Sequence, residues 1–155
     1  MRRQNITIHG STGTIGKSAL SVIAQSNNQH KVFALSAKSK IKTLFNQIKR
    51  FNPKYAVVFD EDKAKQLSDL CVKNKISTKI LHGAESYEYI SSDRRVDCVL
   101  SGISGTSALK PTYAAIRSGK KLLLANKESL IMSGELMMKA AQKSGSQIIP
   151  IDSEH

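Results

Sequence analysis

Three stretches of the sequence carry residue types at spacings that could do chemistry. Residues 149–155, "IPIDSEH", place Asp152 and Glu154 two positions apart around Ser153. In extended backbone, residues two apart face the same way. The two carboxylates can therefore converge on one hard cation such as Mg2+ or Mn2+, while the serine hydroxyl meets a substrate. Two carboxylates leave the coordination shell incomplete, and a solvated acidic tail has the same composition. Residues 122–129, "LLLANKES", end an apolar run with Asn126, Lys127 and Glu128. The lysine could neutralise a phosphate or an enolate-like oxygen, and its neighbours could bond a ribose or an amide. The same residues also suit a helix start, with Asn126 as N-cap and Glu128 near the positive end of the helix dipole.

The third stretch, "NITIHGSTGTIGKSAL" (5–20), spaces Gly10, Gly13 and Gly16 as GxxGxxG between an apolar run and a helix-like one. At a strand-to-helix turn the first glycine permits the tight turn and the second lets backbone approach a pyrophosphate. The third lets the helix pack closely on the strand, and free amides at the helix start hold the phosphates. A triphosphate P-loop, GxxxxGK[ST], fails by one residue, because Ser11 stands where its first glycine belongs. "VVFD" (57–60) could imitate the strand-borne acid of such a site, and Lys17 its lysine. A turn with no ligand is the third possibility. NAD sites place an acid about 20 residues beyond the turn to hold the ribose diol. Here that position reads "SAKSK" (36–40), offering Ser36, Lys38, Ser39 and Lys40, and no Asp or Glu precedes Asp60. If a dinucleotide binds, this composition favours NADP, whose 2′-phosphate it attracts.

The elements that must position these residues alternate along the whole chain. Strands are expected over 5–9, 30–37, 55–59, 78–83, 97–101, 121–125 and 147–152. Helices are expected over 14–26, 40–51, 61–73, a short one over 85–90, then 107–119 and 128–145. Ile15, Ala19, Val22 and Ile23 share one helical face, as do Ile41, Leu44, Phe45 and Ile48. Pro111 suits a helix start and Gly119 a helix end. Strands this apolar, linked by helices, predict an α/β, Rossmann-like doubly wound sheet of about seven mostly parallel strands with helices on both faces. Residues 1–155 then form one domain, and "DSEH" follows a strand end, where open α/β sheets place their ligands.

At 155 residues and 40% hydrophobic content, the chain can bury a core. Mean hydropathy is −0.27, no apolar run approaches the roughly 18 residues of a membrane span, and no signal or transit segment is visible. A membrane partner is therefore not expected. A net charge of +12 raises nucleic-acid binding, but the lysines are scattered and aromatics make up only 5%, so no stacking platform is predicted. Cys71 and Cys98 form no CxxC and read as buried thiols of a reducing compartment. A short-chain dehydrogenase would need Tyr-x-x-x-Lys, but Tyr113 is followed four residues later by Arg117.

Taken in order and spacing, "GSTGTIG", "LLLANKES" and "PIDSEH", with "PTYAAIRSGKK" before the second, resemble the 1-deoxy-D-xylulose 5-phosphate reductoisomerase family. The resemblance spans essentially the whole chain. It implies an NADPH-binding N-terminal domain of a bacterial, cytoplasmic, homodimeric enzyme that also has a catalytic and a helical C-terminal domain. That enzyme isomerises 1-deoxy-D-xylulose 5-phosphate and reduces the product with NADPH to 2-C-methyl-D-erythritol 4-phosphate, using Mg2+ or Mn2+, in non-mevalonate isoprenoid synthesis. By the resemblance, Gly10, Thr12, Gly13, Thr14 and Ile15 surround the coenzyme pyrophosphate, and Lys38, Ser39 and Lys40 the adenosine ribose phosphate. Asn126 and Glu128 contact coenzyme, Lys127 and Ser153 contact substrate, and Asp152 and Glu154 bind metal. The family often has glycine and asparagine where Lys38 and Lys40 stand, and Val and Gly where Ser104 and Ala108 stand. The family's remaining metal-binding glutamate lies downstream, so these 155 residues are expected to bind NADPH without turning over substrate alone; a non-catalytic NADP-binding remnant is the alternative.

Overall fold

In a computed structural model, residues 3–27, 29–125 and 127–151 are described, with backbone alone at 127–130, 132 and 133. Apolar runs form the strands and amphipathic runs the helices. In order they are β1 (Gln4–His9), α1 (Thr14–Ala24), β2 (His30–Ser36), α2 (Ile41–Phe51), β3 (Tyr55–Val58), α3 (Glu61–Lys73), β4 (Lys79–His82) and α4 (Ala84–Ser92). There follow β5 (Cys98–Ser101), a 3-10 turn (Thr106–Ala108), α5 (Leu109–Arg117), β6 (Lys121–Leu124), α6 (Lys127–Ser144) and β7 (Ile148–Pro150).

The seven strands form one sheet in the order β4-β3-β2-β1-β5-β6-β7, and every neighbouring pair is parallel. The chain winds outward from β1 to β4, crosses back through α4, and winds outward again from β5. The order reverses between β1 and β5, which is where such sheets open a crevice at their carboxyl ends. Helix placement follows from this winding. Leu20, Leu44, Ile48, Ala64 and Leu67 from α1 to α3 pack on one face with Ile6, Ile8, Leu35 and Leu100. Ile90, Ala115, Ile116, Met137 and Ala141 from α4 to α6 pack on the other with Val57, Val99, Leu122 and Leu124. Between Ile6 and Thr7 the β1–β2 register shifts by one residue of β2, so Phe33 and Ala34 both face the second core. That is the signature of a bulge.

Burial on both faces holds for the interior strands and stops at the edges. Every residue of β5 is buried, whereas none of β4 or β7 is fully so. An edge strand has a neighbour on one side only, and here the flanking helices cover it incompletely. Two residues also sit differently from expectation. Val22 is 67% exposed, because α1 buries Gly16 and Leu20 instead. β3 ends at Val58, and Phe59 beyond it is 62% exposed. Helix ends match their local chemistry. The Asp60 carboxylate accepts the Lys63 amide at 2.9 Å and caps α3, so this acid of "VVFD" serves as an N-cap. Pro111 falls in the first turn of α5, where no intrahelical donor is lost.

Leu44 is fully buried and Val22 is not, which gives a direct test of the first core. Leu44→Ala should cost about 2–5 kcal/mol of unfolding free energy, and Val22→Ala within about 0.5 kcal/mol. Urea titration of the two variants measures both.

Candidate functional site

The glycine turn lies at the carboxyl end of the central strand. Gly10 has φ +73°, a conformation that L side chains rarely adopt, and a Cβ there would stand 3.0 Å from the Gly102 carbonyl group. Gly16 is excluded from having a side chain more severely. Its Cβ would lie 2.3 Å from the Gly10 oxygen and 2.5 Å from the Ser11 Cα. Both glycines are therefore demanded by the fold. Gly13 is not. It caps α1 with φ −83° and ψ 177°, ordinary extended values, and its only neighbour, the Gly10 oxygen, would be 3.5 Å from a Cβ. No described residue forbids a side chain at this exposed position.

The turn is tied to three elements. The Ser36 carbonyl at the end of β2 accepts the amides of Gly10 (3.0 Å) and Ser11 (2.9 Å). From α2, the Gln47 amide donates to the Ser11 carbonyl at 2.8 Å. After β5, the Gly102 amide donates to the His9 carbonyl at 3.0 Å. These bonds occupy the turn's early donors. The amides of Thr14, Ile15 and Gly16 open α1, no side chain caps them, and no other described residue accepts from them. They form the positive end of the helix dipole, where backbone N–H groups favour negative charge.

Beneath the turn, His9 is 1% exposed and bridges two serines. Its Nδ1 lies 2.8 Å from Ser36 Oγ and its Nε2 2.6 Å from Ser91 Oγ, and the ring stacks on Tyr87 at 6.1 Å. Burial pushes the His9 pKa down to about 3. Tyr87, whose hydroxyl donates to the Ala37 carbonyl at 3.0 Å, is pushed up to about 12 by burial. A neutral network thus joins α4 to the end of β2 and to the turn. Burial likewise raises both thiols, Cys98 to about 11, which makes them poor nucleophiles.

The residues that sequence singled out fall as follows. Thr12 is buried, Gly13 and Thr14 are exposed, and Ile15 is half-buried against the first core. Lys38, Ser39 and Lys40 are exposed on the loop directly after β2, which the Ser36 carbonyl holds against the turn. Neither lysine pairs with a carboxylate among the described residues. Lys17 is exposed on α1. Lys127 and Glu128 open α6 immediately after β6, on the carboxyl edge of the sheet, although their side chains are outside the description. Asn126, Asp152, Ser153 and Glu154 lie outside the described residues. Among the described residues no group of three His, Cys, Asp or Glu could hold a metal ion. Nor is any helix among them long and apolar enough to cross a membrane. Sequence reasoning missed His9, Gln47 and Gly102. Only Gly102, the first glycine of "SGISG", was a visible signal.

A seven-stranded parallel sheet that reverses its order at a glycine turn, with helices on both faces, defines a Rossmann-like α/β fold. The sequence pattern of 1-deoxy-D-xylulose 5-phosphate reductoisomerase matches residues 6–134, and the chain belongs to that family. A reductoisomerase of Clostridium botulinum (strain Loch Maree / Type A3) is 44% identical over 98% of the chain and 40% of its own length. One from Dechloromonas aromatica (strain RCB) is also 44% identical, with 38% of its length covered. The chain thus spans about 40% of the curated relatives it matches. Among solved structures, DOX-P reductoisomerase in complex with NADPH, fosmidomycin and magnesium matches with TM-score 0.93 and 41% identity, over 98% of this chain and 37% of that one. The Zymomonas mobilis enzyme in complex with NADPH matches with TM-score 0.92 and 36% identity, over 99% and 40%. A homoserine dehydrogenase from Thiobacillus denitrificans, at 21% identity and TM-score 0.57, shares the fold alone.

The buried His9 gives this region a defined pH response. Its folded pKa is lowered below the ordinary 6.5, so below pH 6.5 the unfolded chain takes up a proton that the folded chain refuses. Stability from this group is present above pH 6.5 and declines towards about 3, by at most about 1.4 kcal/mol per pH unit. The His9 imidazole should remain neutral by NMR at pH 5. A His9 signal that titrates near 6.5 in the folded protein would contradict the buried bridge.

Proposed function

We propose that this chain is the NADPH-binding portion of a 1-deoxy-D-xylulose 5-phosphate reductoisomerase, with residues 1–155 forming its coenzyme domain. The observation that carries this is Gly13. The fold requires Gly10 and Gly16 but leaves space for a Cβ at residue 13, in front of the uncapped amides of α1. A glycine that its own chain does not need, placed beside open donors, suits the close approach of a pyrophosphate. The chain's residues therefore fit the coenzyme on structural grounds, in agreement with the NADPH named for two of the similar structures.

In this reading, Gly10, Thr12, Gly13, Thr14 and Ile15 surround the pyrophosphate, and the open amides of Thr14 and Ile15 donate to it. Lys38, Ser39 and Lys40, which lie next to the turn through Ser36, take the ribose 2′-phosphate by charge-assisted bonds. Asn126 and Glu128 contact the coenzyme where α6 opens, and Lys127 and Ser153 contact the substrate. Asp152 and Glu154 follow β7 and would hold Mg2+ or Mn2+, which would polarise the substrate carbonyl as a Lewis acid. The bound coenzyme would supply the hydride that reduces the isomerised aldehyde. The chain's part in that step is to fix the coenzyme against the carboxyl edge of the sheet.

Two substitution experiments test the binding roles. Gly13→Ala should leave the urea midpoint near wild type yet weaken NADPH binding by at least about tenfold, whereas Gly16→Ala should lose about 1–3 kcal/mol of stability by overpacking. Equal NADPH affinity for wild type and Gly13→Ala, by titration calorimetry, would remove the argument from the turn. Lys38→Ala combined with Lys40→Ala should weaken NADPH about tenfold or more and leave NADH unchanged. An equal loss for both coenzymes would place the 2′-phosphate elsewhere.

A further inference from the structure

The amino ends of the strands, opposite the coenzyme turn, carry a second concentration of cations. A cavity of about 530 Å3 opens there, lined among others by Lys31, Lys54, Lys79 and Arg95 with Phe33 and Tyr55. Among the described residues no carboxylate lines it. The three lysines come from three adjacent strands. Lys31 lies at the start of β2, Lys54 just precedes β3, and Lys79 begins β4. The backbone sets them side by side, since the Lys54 amide donates to the Phe33 carbonyl at 2.8 Å and the Lys79 amide to the Lys54 carbonyl at 3.0 Å.

The charges differ in how they are used. Arg95 is fixed. It clamps Asp93 through two bonds of 2.9 and 2.8 Å, donates to the Tyr55 hydroxyl at 3.3 Å, and lies 5.0 Å from the Phe33 ring centroid. Asp93, held well below the usual carboxylate range chiefly by that guanidinium, is thereby committed. Lys31, Lys54 and Lys79 are exposed and pair with no carboxylate among the described residues. Like charges gathered in a concave, acid-free wall repel one another, and an anion with several oxygens relieves that repulsion. The ends of α2 and α3 also face this side, and lysines offset their negative dipole ends. Dipole compensation alone requires neither a cavity nor a shared wall.

We propose that this cavity binds a small anion bearing two or more phosphate groups, at a site separate from the coenzyme turn and independent of the function assigned to that turn. Lys31, Lys54 and Lys79 contact the phosphate oxygens, and the fixed Arg95 guanidinium closes the apolar side over Phe33. The test uses the 155-residue chain and inorganic pyrophosphate at constant ionic strength, with calorimetry for affinity and amide NMR for location. Saturable binding is expected, with shifts centred on residues 31, 54 and 79. Lys31→Ala combined with Lys54→Ala, two exposed positions, should weaken it about tenfold, the size of one charge-assisted contact, and leave NADPH affinity unchanged. The proposal is overturned if pyrophosphate shifts only residues 10–16 and 36–40. It is equally overturned if the double variant binds as well as wild type, or if sulfate at the same ionic strength gives the same response.

Discussion

Between the Gly10 carbonyl oxygen and the backbone of residue 16 there is no room for a side chain, because a Cβ would stand 2.3 Å away. That close approach is the constraint on which the rest depends. It lets α1 begin immediately after the turn, so the amides of Thr14, Ile15 and Gly16 open directly over the end of β1. It also brings the turn near enough to β2 for one carbonyl, that of Ser36, to accept two of its amides. With those donors satisfied internally, the helix start is left as the free end of the hydrogen-bond pattern. A side chain at residue 16 would push the helix away and dissolve the arrangement at several bonds at once.

The fold was legible where local pattern and burial agree. Runs such as "YAVV" and "CVLS" are mostly apolar, and both became interior strands with a buried centre. α2 was legible residue by residue, since Leu44 and Ile48 are buried and Ile41 and Phe45 pack beside them. Periodicity failed at Val22 because it cannot register a glycine as a packing residue. Gly16 draws α1 so close to the turn that Gly16 and Leu20 form the buried line. It also failed at the edges, where the composition of "KILH" says nothing about which strand lacks an outer neighbour.

The site divides along similar lines. Gly10, Gly13 and Gly16 were readable because steric demand at a turn is local and leaves a residue-type signature. Position alone, however, did not distinguish the two glycines that the fold needs from the one it does not, and that distinction now carries the functional argument. His9, Gln47 and Gly102 could not be found from spacing. His9 meets Ser36 and Ser91, 27 and 82 positions away, and Gln47 meets Ser11 across 36. Such contacts exist only after β1, β2 and α4 have been brought together.

The net charge of +12 also reads differently once the sheet is oriented. As a total it suggests a nucleic-acid surface. In the fold it separates into two ends with opposite backbone fields. At the carboxyl edge, Lys38 and Lys40 follow β2 beside the turn that opens α1, so their charges and the positive helix start lie on the same edge. At the amino edge, Lys31, Lys54 and Lys79 oppose the negative ends of α2 and α3, so part of their charge is already balanced. An anion at the amino edge must gain from several cations at once, which only a concave wall spanning three strands can offer.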